Sequence, residues 1–160
     1  MKVADGIERP NGIQLSRDEK TLFVNNTSGE YLLAFDIQSD GSVTNRRNFA
    51  KYEGATRNEN GVSSGADGLA LDSQGRIYVA ASTGVQVFSP QGQHLGTIPL
   101  SRPPQNLAFA GAGKKTLYVV GSGALGPDGQ EFTTPEGVRN NAKTIYKLPM
   151  RAQGFKGRAK

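Results

Sequence analysis

Three copies of one short pattern constrain what this 160-residue chain can fold into. Each copy is a polar residue opening an apolar strand, then a turn, then a second apolar strand. The first is Pro10-Asn11-Gly12-Ile13-Gln14-Leu15-Ser16, followed by Thr21-Leu22-Phe23-Val24. The second is Ala66-Asp67-Gly68-Leu69-Ala70-Leu71-Asp72, followed by Arg76-Ile77-Tyr78-Val79. The third is Pro104-Gln105-Asn106-Leu107-Ala108-Phe109, followed by Thr116-Leu117-Tyr118-Val119. A unit of several short strands and Gly-rich turns, recurring every roughly 40–55 residues, reads as a β-propeller blade. The repeat also puts Asn11, Asp67 and Gln105 at equivalent positions, so it marks a site as well as a fold.

The expected fold is all-β, with about three four-stranded antiparallel blades. Period-two alternation predicts strands over 11–16, 21–24, 31–37 and 43–49 in the first unit. The second repeats the plan over 69–72, 76–81, 84–88 and 94–100. The third shows 106–110, 116–120 and 143–149, with no clear fourth strand. The blades are expected over about 8–55, 64–102 and 103–150, with a basic tail over 151–160. No segment sustains the i, i+3, i+4, i+7 apolar spacing of a helix. Two longer segments, 51–65 and 121–142, interrupt the rhythm. Successive strands of a meander are antiparallel, so first-strand starts and second-strand ends share one face of a blade. Asn25, Ser82 and Ser122 follow second-strand ends, so both long segments emerge on the face that carries Asn11, Asp67 and Gln105. Long loops on the site-bearing face of a rigid scaffold carry function more often than not.

The 21 glycines and 8 prolines suit a turn-rich β chain and argue against a helical bundle. The net charge of +5 suggests nucleic acid, but its distribution weakens that reading. Arg151, Lys156, Arg158 and Lys160 all lie in the last ten residues, and removing them leaves fifteen basic against fourteen acidic residues. A phosphate-binding face needs basic residues clustered with stacking aromatics on the folded body. The tail is instead expected to be solvated or docked, with no nucleic-acid partner. Apolar runs of four to seven residues are too short to cross a bilayer as a helix, so no membrane partner is expected. Met1-Lys2-Val3 leads into polar sequence with no apolar leader. Without cysteine there is no disulfide or thiol chemistry, and the compartment stays open.

Asn11 and Asp67 are hard oxygen donors, and Gln105 is a further amide in register. Inner strands of a propeller converge on its axis, so equivalent starts on neighbouring blades approach one another. A carboxylate, amide oxygens and water suit Ca2+, Mg2+ or Mn2+ rather than thiolate-seeking metals. The competing reading is local: Asn-Gly and Asp-Gly are common turn dipeptides. Asn25 and Gln105 are candidate substrate-binding residues on the same face. Glu8, just before Pro10-Asn11, is read as solvent-facing. His94, the single histidine, falls in an outer strand and is read as a surface residue, so a Ser-His-Asp triad has no histidine to use. No phosphate loop or dinucleotide fingerprint occurs.

These residues resemble the SMP-30/gluconolactonase/luciferin-regenerating-enzyme-like family of six-bladed propellers. The resemblance runs through Arg9-Pro10-Asn11-Gly12-Ile13, Asp18-Glu19-Lys20-Thr21-Leu22-Phe23-Val24 and Ala34-Phe35-Asp36-Ile37. It continues through Ser42–Phe49, the Ala66–Asp72 segment, Gly84-Val85-Gln86-Val87-Phe88-Ser89-Pro90, Ile145–Pro149 and Gly154–Lys160. It implies half of a six-bladed propeller and a lactone hydrolase that uses one divalent cation, Ca2+ first, with Mg2+, Mn2+ or Zn2+ as alternatives. Asn11 and Asp67 match two of the family's ligands, and Asp67 is also the expected general base. A full member is about twice this length, and this chain matches its C-terminal half, so the family's early-blade Glu and another site Asn are missing. A homodimer or a missing N-terminal half would complete the ring. The alternatives to a small-molecule lactonase are a non-catalytic half-propeller that binds or assembles, and a phosphotriesterase-like hydrolase. Localisation stays open.

Overall fold

The computed structural model describes residues 1–130 and 143–157. The first blade is a meander of β1 (Pro10–Leu15), β2 (Thr21–Asn26), β3 (Tyr31–Ile37) and β4 (Val43–Lys51), hydrogen-bonded in that order. Its turns are held by short acidic side chains. Asp18 accepts from the Ser16 hydroxyl (2.6 Å) and the Lys20 N–H (3.2 Å). Asp40 accepts from the Ser42 N–H (2.9 Å) and hydroxyl (2.7 Å) around Gly41, whose φ of 81° suits glycine. A small hairpin, β5 (Thr56–Asn58) and β6 (Gly61–Ser63), occupies the 51–65 segment. The second blade is β7 (Leu69–Leu71), β8 (Ile77–Ala81), β9 (Gly84–Phe88) and β10 (His94–Ile98). The third is β11 (Pro104–Ala110), β12 (Thr116–Ser122) and β13 (Lys143–Pro149), a three-stranded sheet among the described residues. One turn of 3-10 helix, Ala112–Lys114, links β11 to β12. The expected loop 121–142 lies largely outside the described residues, from 131 onward.

Burial patterns report where each blade sits in the stack. Every residue of β7 and β8 is buried, because blade 2 is covered on both faces. Leu69, Leu71, Ile77, Val79 and Phe88 pack toward blade 1 against Phe23, Leu32, Ala34 and Tyr52. The alternate residues Ala70, Tyr78 and Ala80, with Val85, pack toward blade 3 against Leu107, Phe109, Leu117 and Val119. Full burial of each such large apolar side chain contributes about 1.5–3 kcal/mol. Blade 3 has one covered face among the described residues, so β13 alternates strictly between half-buried and exposed, whereas the outer face of blade 1 is partly covered by Ile7, which packs on Val24, Leu33 and Phe35. Ile13, at 63% exposure, and Ile145, at 73%, face outward from the two ends of the stack. The alternation in β1 is therefore real, but Ile13 and Leu15 point away from blade 2.

The basic tail is docked as far as it is described. The Phe155 N–H donates to the Leu71 carbonyl (3.0 Å) and the Gly154 N–H to the Lys114 carbonyl (2.8 Å). Gly154 is buried against Phe109, where a Cβ would collide with the ring. Arg17 stacks over the Phe155 ring at 5.9 Å. The loop after β4 is tied to blade 2 by the buried Gln86, whose amide donates to the Glu53 carbonyl (2.7 Å) and accepts from the Glu53 N–H (3.0 Å).

Candidate metal and catalytic site

Equivalent backbone bonds join the inner strands of neighbouring blades. The Gly12 N–H donates to the Asp67 carbonyl (3.0 Å), and the Gly68 N–H donates to the Gln105 carbonyl (2.8 Å). The bonds pair position with position, so the threefold repeat in sequence is a threefold repeat in space. Such close approach leaves no room for a side chain. A Cβ on Gly12 would meet the Asp67 carbonyl oxygen and lie 2.7 Å from Leu69 Cδ2. A Cβ on Gly68 would meet Asn106 Oδ1 and lie 2.9 Å from Asn106 Cα. Neither glycine has a positive φ, so Asn11-Gly12 and Asp67-Gly68 are not turn dipeptides. Their glycines serve inter-blade contact, which removes the local reading of both motifs.

This stitching brings Asn11 and Asp67 together on one face, at the openings of adjacent inner strands. Asn11 is exposed and Asp67 half-buried. The Asn11 amide donates to Thr27 Oγ1 (3.3 Å) and lies near enough to the Asp67 carboxylate to favour its charged form. The Thr27 hydroxyl in turn donates to the Ala66 carbonyl (2.7 Å). Partial burial pushes the Asp67 carboxyl up from its ordinary value, opposed by the charge of Arg9 and by the Asn11 amide. A raised carboxyl is a better proton acceptor at neutral pH, as a general base requires.

Asn25 lies inside β2 and is fully buried. Its Nδ2 donates to the Asp67 carbonyl (2.6 Å), and its Oδ1 accepts from the Tyr52 hydroxyl (2.9 Å). With both ends engaged and no exposed surface, Asn25 reaches the site through the backbone carbonyls of Asp67 and Gly68. Gln105 is half-buried and meets blade 2 through its carbonyl. Glu8 is exposed. His94 sits in β10 with Nε2 3.1 Å from Thr97 Oγ1, away from Asp67 in the outermost strand of blade 2.

Sequence reasoning missed Tyr52 and Thr27. Tyr52 follows the last strand of blade 1 in what reads as a linker, and only its burial reveals its role. Replacing Tyr52 with Phe keeps the ring packing and leaves Asn25 Oδ1 buried without its donor. The expected loss is about 1–3 kcal/mol of stability, read from the urea midpoint at unchanged m-value.

Among the described residues no three His, Cys, Asp or Glu side chains gather into one cluster. The converging donors are one carboxylate and one amide, both oxygen-bearing and open to solvent. Ca2+ takes about 6–8 oxygen ligands, so Asn11 and Asp67 fit a hard cation as part of its sphere, with water or further blades completing it.

A family model described as the SMP-30/Gluconolactonase/LRE-like region matches residues 1–123. A gluconolactonase of Zymomonas mobilis subsp. mobilis is 33% identical over 124 residues, covering 73% of this chain and 33% of that protein. The solved structure of a gluconolactonase from Xanthomonas campestris superposes with a TM-score of 0.63 at 33% identity, over 76% of this chain and 37% of that one. A luciferin-regenerating enzyme shares the fold with a TM-score of 0.70 at 23% identity, over 96% of this chain and 49% of the other. The chain thus spans about a third to a half of the length of the proteins it matches. Its blades are those of these propeller-type structures, and the chain belongs to the SMP-30/gluconolactonase/LRE-like family.

Proposed function

We propose that this chain carries part of a cation-assisted lactone-hydrolysing site, centred on Asp67 and Asn11. The observation that carries the reading is their juxtaposition: a raised carboxyl and an exposed amide, held on one face by the two inter-blade bonds. Asn11 and Asp67 would hold the divalent cation, Ca2+ by preference, and when bound it supplies Lewis-acid polarisation of the lactone carbonyl. Asp67 accepts the proton of the attacking water, whose oxygen bonds to the carbonyl carbon. The ring C–O bond then breaks, and the proton passes from Asp67 to the leaving alkoxide, giving the hydroxy acid. Asn11 orients the carboxylate through its amide. Tyr52 and Asn25 act as positioning residues through the Asp67 carbonyl, and Arg9 places a positive charge beside the carboxylate. Gln105 occupies the equivalent position one blade on and is the candidate for contacting the substrate.

The two outward faces, carrying Ile13 and Ile145, call for further blades. These come either from a second copy of this chain or from the remainder of a longer protein. If neither is present, the chain is a binding module with an incomplete cation site. The deciding experiment follows δ-lactone hydrolysis in a pH-stat with Ca2+ or Mn2+ added, then with chelator, while light scattering gives the mass in solution. Chelator-sensitive turnover by a dimer supports a working site closed by a second copy. Turnover equal to the uncatalysed rate, from a folded monomer that does not bind the cation, overturns the enzymatic reading of this chain.

A further inference from the structure

The face opposite Asn11 and Asp67 carries a groove of about 560 Å3 between blades 2 and 3. It lies where β7 turns into β8 and β11 turns into β12, roofed by the segment after β13. Its walls are tied together by backbone bonds. The Ser73 N–H donates to the Gln153 carbonyl (2.7 Å), and the Met150 N–H donates to the Lys115 carbonyl (2.9 Å). The groove is therefore complete within this chain and needs no further blade.

Three cations from three different elements line it: Arg76, Lys115 and Arg151. Among the described residues no carboxylate does. Arg76 is fixed from beneath by Asp72, which is fully buried. Asp72 Oδ2 accepts from Arg76 Nε (2.6 Å) and the Tyr78 hydroxyl (3.2 Å). Asp72 Oδ1 accepts the N–H groups of Gln74 (2.8 Å) and Arg76 (3.0 Å). One edge of the guanidinium is thus spent on Asp72, while its terminal nitrogens have no hydrogen-bond partner among the described residues. Lys115 and Arg151 form no ion pair among the described residues either. Like charges facing one cleft repel unless something negative lies between them. A guanidinium locked by a buried carboxylate is already oriented to donate into the cleft, so little ordering entropy is lost on binding.

We propose that this groove binds a small phosphate-bearing ligand, held by Arg76, Lys115 and Arg151. Donors from three separate elements suit a tetrahedral dianion better than a planar carboxylate, which one fork satisfies. The neutral polar side chains Ser73, Gln74 and Gln153 supply further hydrogen-bonding groups along the walls. The inference is independent of lactone hydrolysis, which is placed on the other face.

The test titrates inorganic phosphate and phenyl phosphate into the chain by amide NMR, with acetate and chloride at matched ionic strength as controls. The expected result is saturable phosphate binding that shifts the amides of 73–76, 113–115 and 150–153. In Lys115→Ala/Arg151→Ala the affinity falls on the order of tenfold or more, because two charge-assisted contacts are lost. Both residues are exposed, so the variant keeps its melting temperature, and the lactonase readouts of Asp67 are unmoved. Acetate binding as tightly as phosphate would overturn the ligand class. A linear response shared with chloride, or binding unchanged in the double variant, would overturn the site.

Discussion

Replacing Asp67 with Asn is expected to lower kcat for lactone hydrolysis by about 10²–10⁴-fold in whatever assembly of this chain proves active. Asparagine keeps the size and one oxygen of the side chain and removes the proton acceptor. The same change removes the only carboxylate proposed as a ligand, so calorimetric affinity for Ca2+ drops with it. Stability moves the other way. Burial raises the Asp67 carboxyl in the folded chain above its unfolded value, so the folded state binds the proton more tightly. Wild-type stability therefore falls as pH rises from the unfolded value through the raised folded value, and stays lower above it. An amide at this position carries no such penalty, since it does not ionise. Asp67→Asn should match the wild type in strong acid and melt higher at neutral pH, a gain bounded by the solvent screening of a half-exposed group. Activity within about tenfold of wild type would remove Asp67 from the role of base. A melting temperature lowered at neutral pH would show that the carboxylate is held by compensations stronger than burial.

The largest expected effect on the fold comes from a single methyl group at Gly68. The added Cβ would strike the side chain and backbone of Asn106 on the next blade, with Asn106 Cα only 2.9 Å away. Backbone cannot rotate aside as a side chain can, so blades 2 and 3 must separate and the Gly68–Gln105 bond lengthens or breaks. Overpacking of about 1–3 kcal/mol and a lost hydrogen bond of about 0.5–1.5 kcal/mol give about 1.5–4.5 kcal/mol for Gly68→Ala. Against a typical stability of about 5–15 kcal/mol, that leaves a marginal protein. Chemical denaturation of Gly68→Ala should show a lower midpoint at unchanged slope, and an unshifted midpoint would mean that the blades can slide apart freely. Gly12→Ala should behave alike, since the Asp67 carbonyl oxygen and Leu69 Cδ2 confront its Cβ in the same way.

Much of this is legible without any coordinates. The strands of blades 1 and 2 announce themselves by period-two alternation or short apolar runs, and Asn11 and Asp67 by register within the repeat. The hairpin of β5 and β6 escapes such a reading, because Thr56 to Ser63 contains one large apolar residue, Val62, and no alternation. Its turn signal, Asn60-Gly61, is present in the sequence. The function of Gly12 and Gly68 is hidden for a different reason. Sequence shows which residue follows which, and a glycine after Asn or Asp is most simply a turn. Only the neighbouring blade, tens of residues away, explains why no side chain fits there. The same holds for Asn25, whose polar character suggests a surface role and whose hydrogen bonds belong to the interior.

The two-sided covering of blade 2 also governs how the molecule breathes. Residues of β7 and β8 can expose their amides only when both neighbouring interfaces open, whereas β1 and β13 each border one interface. Hydrogen–deuterium exchange should therefore be graded along the stack, slowest in β8 and faster in β1 and β13. Asp67 donates its own N–H to the Ala80 carbonyl (2.9 Å) in β8, so the carboxylate is anchored to the last part of the chain to unfold. Local opening at the rims can then occur while the proposed base keeps its place.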